Sequence, residues 1–247
     1  MASQCNSYLI VGASGTIGSA LVARLAKPGV WLGLHYCSNA SAVDDLRQRV
    51  EQAGARAVCL RSSLDSDTSC QALVEQARSE GGPIHALALC GGRVPWKAWQ
   101  ELDSRDWQAA FFEHCVAPVT LARAFVPSMV EQGGGRIVFL SSVAAKYGGS
   151  PRSIQYAAAK GALETAMRGL SRELASFGVC VNGVRSGFVD SPQQRAGRSA
   201  QEIADRIGKI PMRRPGKPEE IAAALQFLLS PEAGFITGEI ITAAGGD

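Results

Sequence analysis

Tyr156 and Lys160 stand four residues apart, with Ser142 a short loop upstream. On a helix, residues i and i+4 lie on one face about one turn apart, so a phenol and an ammonium at this spacing can share a site. A free tyrosine, with a pKa near 10, is a poor base at pH 7. A fixed positive charge about 4 Å away, at an effective dielectric near 20, favours its anion by roughly 4 kcal/mol, or three pKa units, before desolvation is counted. The spacing therefore predicts a phenol that titrates close to working pH and exchanges a proton with a carbonyl or alcohol oxygen. The plainer alternative is an amphipathic helix surface that happens to carry both residues.

Near the start of the chain, the apolar run Tyr8 to Val11 leads into Gly12 Ala13 Ser14 Gly15 Thr16 Ile17 Gly18 and then directly into a helical pattern. Glycines in such a turn permit a tight bend and close approach of backbone to a pyrophosphate, which sits at the positive end of the helix. The glycines alone say little. Their position straight after the first predicted strand favours a dinucleotide turn over an ordinary glycine-rich strand-to-helix turn.

Short apolar runs alternate with longer helical patterns throughout. Predicted strands are Tyr8 to Val11, Val30 to Leu34, Ala57 to Leu60, Ala86 to Leu89, Arg136 to Leu140, Val179 to Val184 and Glu239 to Thr242. Predicted helices are Ile17 to Ala26, Ala42 to Ala53, Thr68 to Glu80, Trp107 to Val130, Ile154 to Phe177 and Glu219 to Leu229. Repeated strand-then-helix order builds an α/β fold, a Rossmann-type doubly wound parallel sheet of about seven strands with helices on both faces. One domain over residues 1–247 is expected, with a substrate lid around residues 185–215.

With 247 residues, 46% hydrophobic content and a mean hydropathy of +0.03, the chain reads as a soluble protein with a sizeable core. Its 25 basic and 22 acidic residues, net +3, are mixed without blocks of either sign, which does not predict nucleic-acid binding. No apolar run approaches the roughly 18 residues of a membrane span, so a cytoplasmic protein without a membrane partner is expected. Seven scattered cysteines, Cys5, Cys37, Cys59, Cys70, Cys90, Cys115 and Cys180, lack a Cys-x-x-Cys pair and read as reduced core thiols. No metal site is expected.

Taken together, these residues resemble the short-chain dehydrogenase/reductase family over nearly the whole chain. The resemblance rests on Ser142 followed by Tyr156-x-x-x-Lys160, on Gly134 Gly135 Arg136 Ile137 Val138, on Arg214 to Ala222, and on Ile236 Thr237 Gly238 with Gly245 Gly246. The subgroup it most resembles contains 3-oxoacyl-carrier-protein reductases and small carbonyl reductases. Such a resemblance implies an NAD(P)-dependent oxidoreductase that interconverts a ketone and a secondary alcohol. Tyr156 would exchange the proton, Ser142 would bind the substrate oxygen, and Lys160 would stabilise tyrosinate and hold the nicotinamide ribose. It also implies cofactor contacts from Gly12, Ser14, Gly15, Thr16, Ile17, Gly18, Tyr36, Ser38, Asn39, Ser63, Leu64, Cys90, Gly91, Gly92, Gly187 and Val189, and a homotetramer or homodimer built on the helices Trp107 to Val130 and Ile154 to Phe177.

Several positions depart from the family pattern. Thr16 takes the middle place of Gly-x-x-x-Gly-x-Gly, with Gly15 one residue earlier, and Leu89 Cys90 Gly91 Gly92 replaces Asn-Asn-Ala-Gly. The relay asparagine aligns with His114, which either substitutes in a catalytic proton relay or packs with one ring nitrogen on backbone. The acidic residue that holds adenine aligns with Ser63. Ser186 Gly187 replaces Pro-Gly and follows Arg185, a cation expected near the cofactor. At the end of the second strand, His35 Tyr36 Cys37 Ser38 Asn39 lacks the carboxylate that would repel a 2′-phosphate, which favours NADP(H) over NAD(H).

Substrate clues are a basic rim of Arg185, Arg195, Arg198, Arg206 and Lys209 in the lid with Arg93, Lys97 and Arg152 near the cleft, suited to a carboxylate, a phosphate or an acidic carrier. A solvated basic surface is the alternative. Trp96 and Trp99 are read either as lining the entrance or as covering the subunit core. Reduction of a polar or carrier-linked 3-oxoacyl carbonyl leads. A diverged dehydratase or epimerase, or a non-catalytic nucleotide-sensing subunit, stays open.

Overall fold

The structure is a computed structural model that describes residues 6–196 and 198–247. Cys5, and Gly197 within the expected lid, lie outside the described residues. The strands are β1 (Ser7–Val11), β2 (Trp31–Tyr36), β3 (Arg56–Arg61), β4 (Ala86–Leu89), β5 (Gly135–Ser142), β6 (Val179–Ser186) and β7 (Ile240–Ala243). The helices are α1 (Thr16–Leu25), α2 (Ala40–Gln52), α3 (Asp67–Gly81), α4 (Ser104–Phe111), α5 (Ala117–Glu131), α6 (Ala144–Tyr147), α7 (Ile154–Leu174), α8 (Pro192–Arg195), α9 (Ala200–Gly208) and α10 (Pro218–Leu229).

All seven strands pair in parallel in the order β3-β2-β1-β4-β5-β6-β7. The chain builds outward from β1 through β2 to β3, then returns to place β4 on the other flank of β1. At that reversal the connections leave in opposite directions and open a crevice beyond the carboxyl ends of the strands.

β1 is buried along its whole length, as a parallel strand covered on both faces must be. Its side chains alternate between two cores. Tyr8 and Ile10 join Leu21, Val22, Leu225 and Leu228 on the α1 and α10 face. Leu9 and Val11 join Leu73, Leu121, Phe125 and Leu163 on the face of α3, α5 and α7. The doubly wound architecture is therefore as expected.

The long helix expected over Trp107 to Val130 is instead three pieces, α4, a π-helical turn at Phe112–Val116, and α5. A π turn inserts an extra residue and re-aims the side chains on it, here His114. Measured as one stretch, Ser104–Glu131 has 28 residues and is long and apolar enough, by length and composition only, to cross a membrane. Glu113 and Arg123 interrupt the stretch, so it is not an unbroken apolar run of that length. Its face bearing Ala117, Leu121, Ala122, Phe125 and Met129 packs in the core.

The helices α6, α8 and α9 were not foreseen. α8 and α9 contribute no buried residue to the core, so the strong apolar signal that marks core helices is missing from them. The six described cysteines are free, yet only Cys70 and Cys180 are buried and Cys37 is exposed, which corrects the core assignment for Cys37.

Candidate active site

The turn after β1 and the loop after β4 meet backbone to backbone. Gly12 adopts φ +79°, and a Cβ there would lie 2.6 Å from the Gly91 Cα. At Gly18 a Cβ would lie 2.1 Å from the Gly12 carbonyl oxygen, so α1 can approach the turn this closely only with glycine. Gly15 precedes α1 with an ordinary φ of −77°, and the helix has no side-chain cap and no acidic residue in its first turn. Thr16 begins the helix, and the shifted glycine leaves the turn intact. The start of α1 is thus open to an anion.

His35 holds this turn in place. Its Nδ1 accepts the Gly12 N–H at 3.0 Å and its Nε2–H donates to the Ser62 carbonyl at 3.1 Å. Burial pulls its pKa down to about 4, against the bond to Ser62, so the ring stays neutral with its proton on Nε2. The glycine spacing did not point to His35. A histidine inside an apolar strand run was the available signal, because a buried imidazole needs partners.

Ser142 ends β5, and Tyr156 and Lys160 occupy the first turns of α7. The Ser142 Oγ accepts the Ala144 N–H at 3.1 Å, and Ser142 and the Tyr156 phenol line the same end of the crevice. The lysine-driven fall in the tyrosine pKa does not occur among these groups. Burial pushes the phenol up to about 12, with the neighbouring Ser142 opposing. The Lys160 Nζ donates to the Leu140 carbonyl at 2.7 Å and sits 5.9 Å from the phenol ring centroid. Burial also pulls Lys160 down to about 8, against the nearby Glu113 and Glu164 charges.

His114 is fully buried beside this group. Its Nε2–H donates to the Arg93 carbonyl at 2.8 Å, while Nδ1 has no partner among the described residues. Burial lowers its pKa to about 3, Lys160 adding to the effect. The histidine thus makes the backbone bond expected of the packed alternative, while its neutral Nδ1 faces Gly92. Gly92, at φ +121°, accommodates the ring, since a Cβ there would lie 2.5 Å from the His114 Cε1.

Arg185 corrects an expectation. Its guanidinium turns away from the crevice and binds the Glu164 carboxylate at 2.6 Å, with a further bond to Thr242. Glu164 also accepts the Ser141 hydroxyl at 2.6 Å, which ties α7 to β5 and β6 one turn beyond Lys160. This buried pair was not foreseen, since no short motif links its members.

Three more of the eight expected rim residues are likewise paired with carboxylates: Lys97 with Asp106, Arg195 with Asp190, and Arg206 with Asp247. Arg198 instead lies 4.5 Å over the Trp96 ring. Trp96 lines the crevice, whereas Trp99 is 57% exposed and does not.

The crevice encloses about 710 Å³. Its walls gather Gly12, Ser14, Gly15, Thr16, Ile17 and Gly18 from the turn, Tyr36, Ser38 and Asn39 after β2, and Ser63 and Leu64 after β3. Cys90, Gly91 and Gly92 follow from β4, Gly187 and Val189 from β6, and Ser142, Tyr156, Lys160 and His114 close the far end. Glu113, which no motif marked, also lines it and accepts the Arg93 N–H at 2.9 Å. A backbone cradle without room for side chains, an uncapped helix start and a phenol–hydroxyl pair in one elongated cleft fit a nicotinamide dinucleotide.

A family model described as enoyl-(acyl carrier protein) reductase matches residues 12–246. The "uncharacterized oxidoreductase YmfI" of Bacillus subtilis is 36% identical over 241 residues, covering 96% of this chain and 97% of that relative. A solved 7α-hydroxysteroid dehydrogenase complexed with NADH and 7-oxo glycochenodeoxycholic acid superposes with a TM-score of 0.91 at 26% identity, covering 98% of this chain and 94% of that one. A blue fluorescent protein from a metagenomic library, in complex with NADPH, also gives 0.91 at 27% identity, covering 98% of both chains. The chain belongs to the short-chain dehydrogenase/reductase family, oxidoreductases that interconvert alcohols and carbonyls with a nicotinamide cofactor.

Proposed function

We propose that this protein reduces a polar or carrier-linked ketone, of the 3-oxoacyl type, to a secondary alcohol with NADPH. The observation that carries the reading is that Tyr156, Ser142 and Lys160 gather at one end of a cleft whose other half is the Gly12–Gly18 turn. When bound, the nicotinamide supplies the hydride to the substrate carbon.

The chain's own groups do the rest. The Ser142 hydroxyl orients the substrate oxygen, and Tyr156, held protonated by a pKa of about 12, gives that oxygen its proton. Lys160, with its pKa near 8, is mostly cationic at pH 7 and offsets negative charge left on Tyr156. Gly12, Gly18 and the start of α1 seat the pyrophosphate.

Support for a carrier-linked substrate comes from the acyl-carrier description of the matching family model and from Arg198, held over Trp96 beside the cleft, where it can meet an anionic or polar tail. We place the enzyme in the cytoplasm, as a homotetramer or homodimer packed through α4, α5 and α7. The test is loss of nicotinamide absorbance when NADPH and the protein meet a panel of ketones and 3-oxoacyl thioesters, with product masses measured. Alcohol two mass units above the ketone supports reduction. A dehydrated or isomeric product supports the dehydratase or epimerase alternative, and binding of NADPH without turnover supports a nucleotide-sensing subunit.

A further inference from the structure

The cleft lacks a cation where its second strand ends. Tyr36, Cys37, Ser38 and Asn39 are all neutral, yet a cation reaches this place from another loop. Arg93 follows the Gly91–Gly92 loop after β4, and its Nη2 donates to the Ser38 Oγ at 3.1 Å. Arg93 and Ser38 both line the cleft, so the guanidinium bridges its two walls.

The backbone of Arg93 is anchored on both sides. Its N–H is held by the Glu113 carboxylate at 2.9 Å and its carbonyl by His114 at 2.8 Å. A side chain launched from a fixed backbone loses less freedom on engaging a ligand. Its planar fork has five donors, so a bond to one hydroxyl leaves donors for an anion. Asn39 stands beside Ser38 with its Oδ1 committed to the Ala42 N–H, which leaves its amide N–H groups as further donors. Among the described residues lining the cleft, Glu113 is the only acidic one, and one of its oxygens already serves Arg93.

We infer that Arg93, with Ser38 and Asn39, forms the seat for the 2′-phosphate of NADP(H), and that Arg93 sets the preference for this cofactor over NAD(H). The inference rests on reading the cleft as a dinucleotide site. An arginine supplied from the β4 loop replaces the basic residue that the β2 turn lacks. The contact to Ser38 pre-positions it.

The test is a fluorescence titration of NADPH and NADH against the wild-type chain, Arg93→Ala and Arg93→Lys, with thermal shifts by 2′,5′-ADP and 5′-AMP as a readout independent of nicotinamide and turnover. Arg93→Ala is expected to weaken NADPH at least about tenfold and abolish the extra shift from 2′,5′-ADP, while NADH changes less than about twofold. Arg93→Lys should recover part of the loss, and the NADPH advantage should shrink as salt is raised. Equal weakening of both dinucleotides, or no change in either, overturns the assignment of Arg93 while leaving the dinucleotide site standing. Failure of the wild type to bind either one overturns the dinucleotide reading and this inference with it.

Discussion

His114 lies edge-on against Tyr156, with ring centroids 4.8 Å apart and planes at 87°. The histidine is fixed from its other side by the Arg93 carbonyl, so one ring connects the proton-donating phenol to the loop at the opposite wall of the cleft. A His114→Asn exchange keeps a donor for that carbonyl and is expected to fold and turn over. His114→Leu leaves the carbonyl without its donor and should lose about 1–3 kcal/mol of stability by denaturant unfolding. Since the imidazole titrates near 3, the pH–rate profile of the wild type should show no step between pH 5.5 and 7.5 that vanishes in His114→Asn. Such a step would mean that His114 carries a titrating proton.

Acid should destabilise the fold through its buried histidines. His35 and His114 have folded pKa values of about 4 and 3, below the 6.5 of the unfolded chain. Between these limits the unfolded state binds the extra protons, so the stability that the neutral rings contribute is complete above pH 6.5 and is lost as pH falls toward 4. Each histidine contributes a slope approaching about 1.4 kcal/mol per pH unit in that window. Urea melts at pH 7.5, 6 and 5 should show stability falling with pH, and His35→Gln should flatten the curve. A flat wild-type profile down to pH 5 would contradict the buried, neutral assignment.

The ion pair of Glu164 and Arg185 joins α7 to β6 with only 7% and 20% of the two side chains exposed. Removing one partner leaves the other charge unpaired, so Arg185→Met alone is expected to cost about 3–5 kcal/mol. Glu164→Leu combined with Arg185→Met should cost less than the sum of the two single exchanges. Strict additivity in denaturant melts would show that the pair carries no coupling.

Two glycines on facing segments should respond differently to alanine. A Cβ at Gly18 meets the Gly12 carbonyl oxygen at 2.1 Å, whereas one at Gly91 first meets a Val11 methyl at 3.4 Å. Gly18→Ala should therefore displace the turn and raise the NADPH Kd by an order of magnitude or more, and Gly91→Ala should stay within about twofold. Similar Kd values for the two variants would show that α1 does not hold the turn.

Much of the architecture could be read from the chain because its signals are local. The seven apolar runs are continuous, as fully buried parallel strands must be, and Ser142, Tyr156, Lys160 and the glycine turn carry their spacing in the sequence. What escaped depends on partners distant along the chain. The π turn under His114 has no propensity signature. Arg185 looked like a cleft residue until Glu164 appeared beneath it, and His35 looked like one letter of a cofactor strand rather than the post of the glycine turn. Short α8 and α9 contribute no buried residue that would mark them.

The central claim is that hydride from a nicotinamide reaches a carbonyl carbon while Tyr156 protonates the oxygen. It is tested most directly by mass spectrometry of the product formed from a 3-oxoacyl thioester and NADPH carrying deuterium on the transferring face of C4. The expected product is an alcohol heavier by one mass unit than that from unlabelled NADPH, with the label on the carbinol carbon. Tyr156→Phe should form it about 10²- to 10⁴-fold more slowly while binding NADPH as the wild type does. An unlabelled product, or undiminished labelling by Tyr156→Phe, would contradict the account.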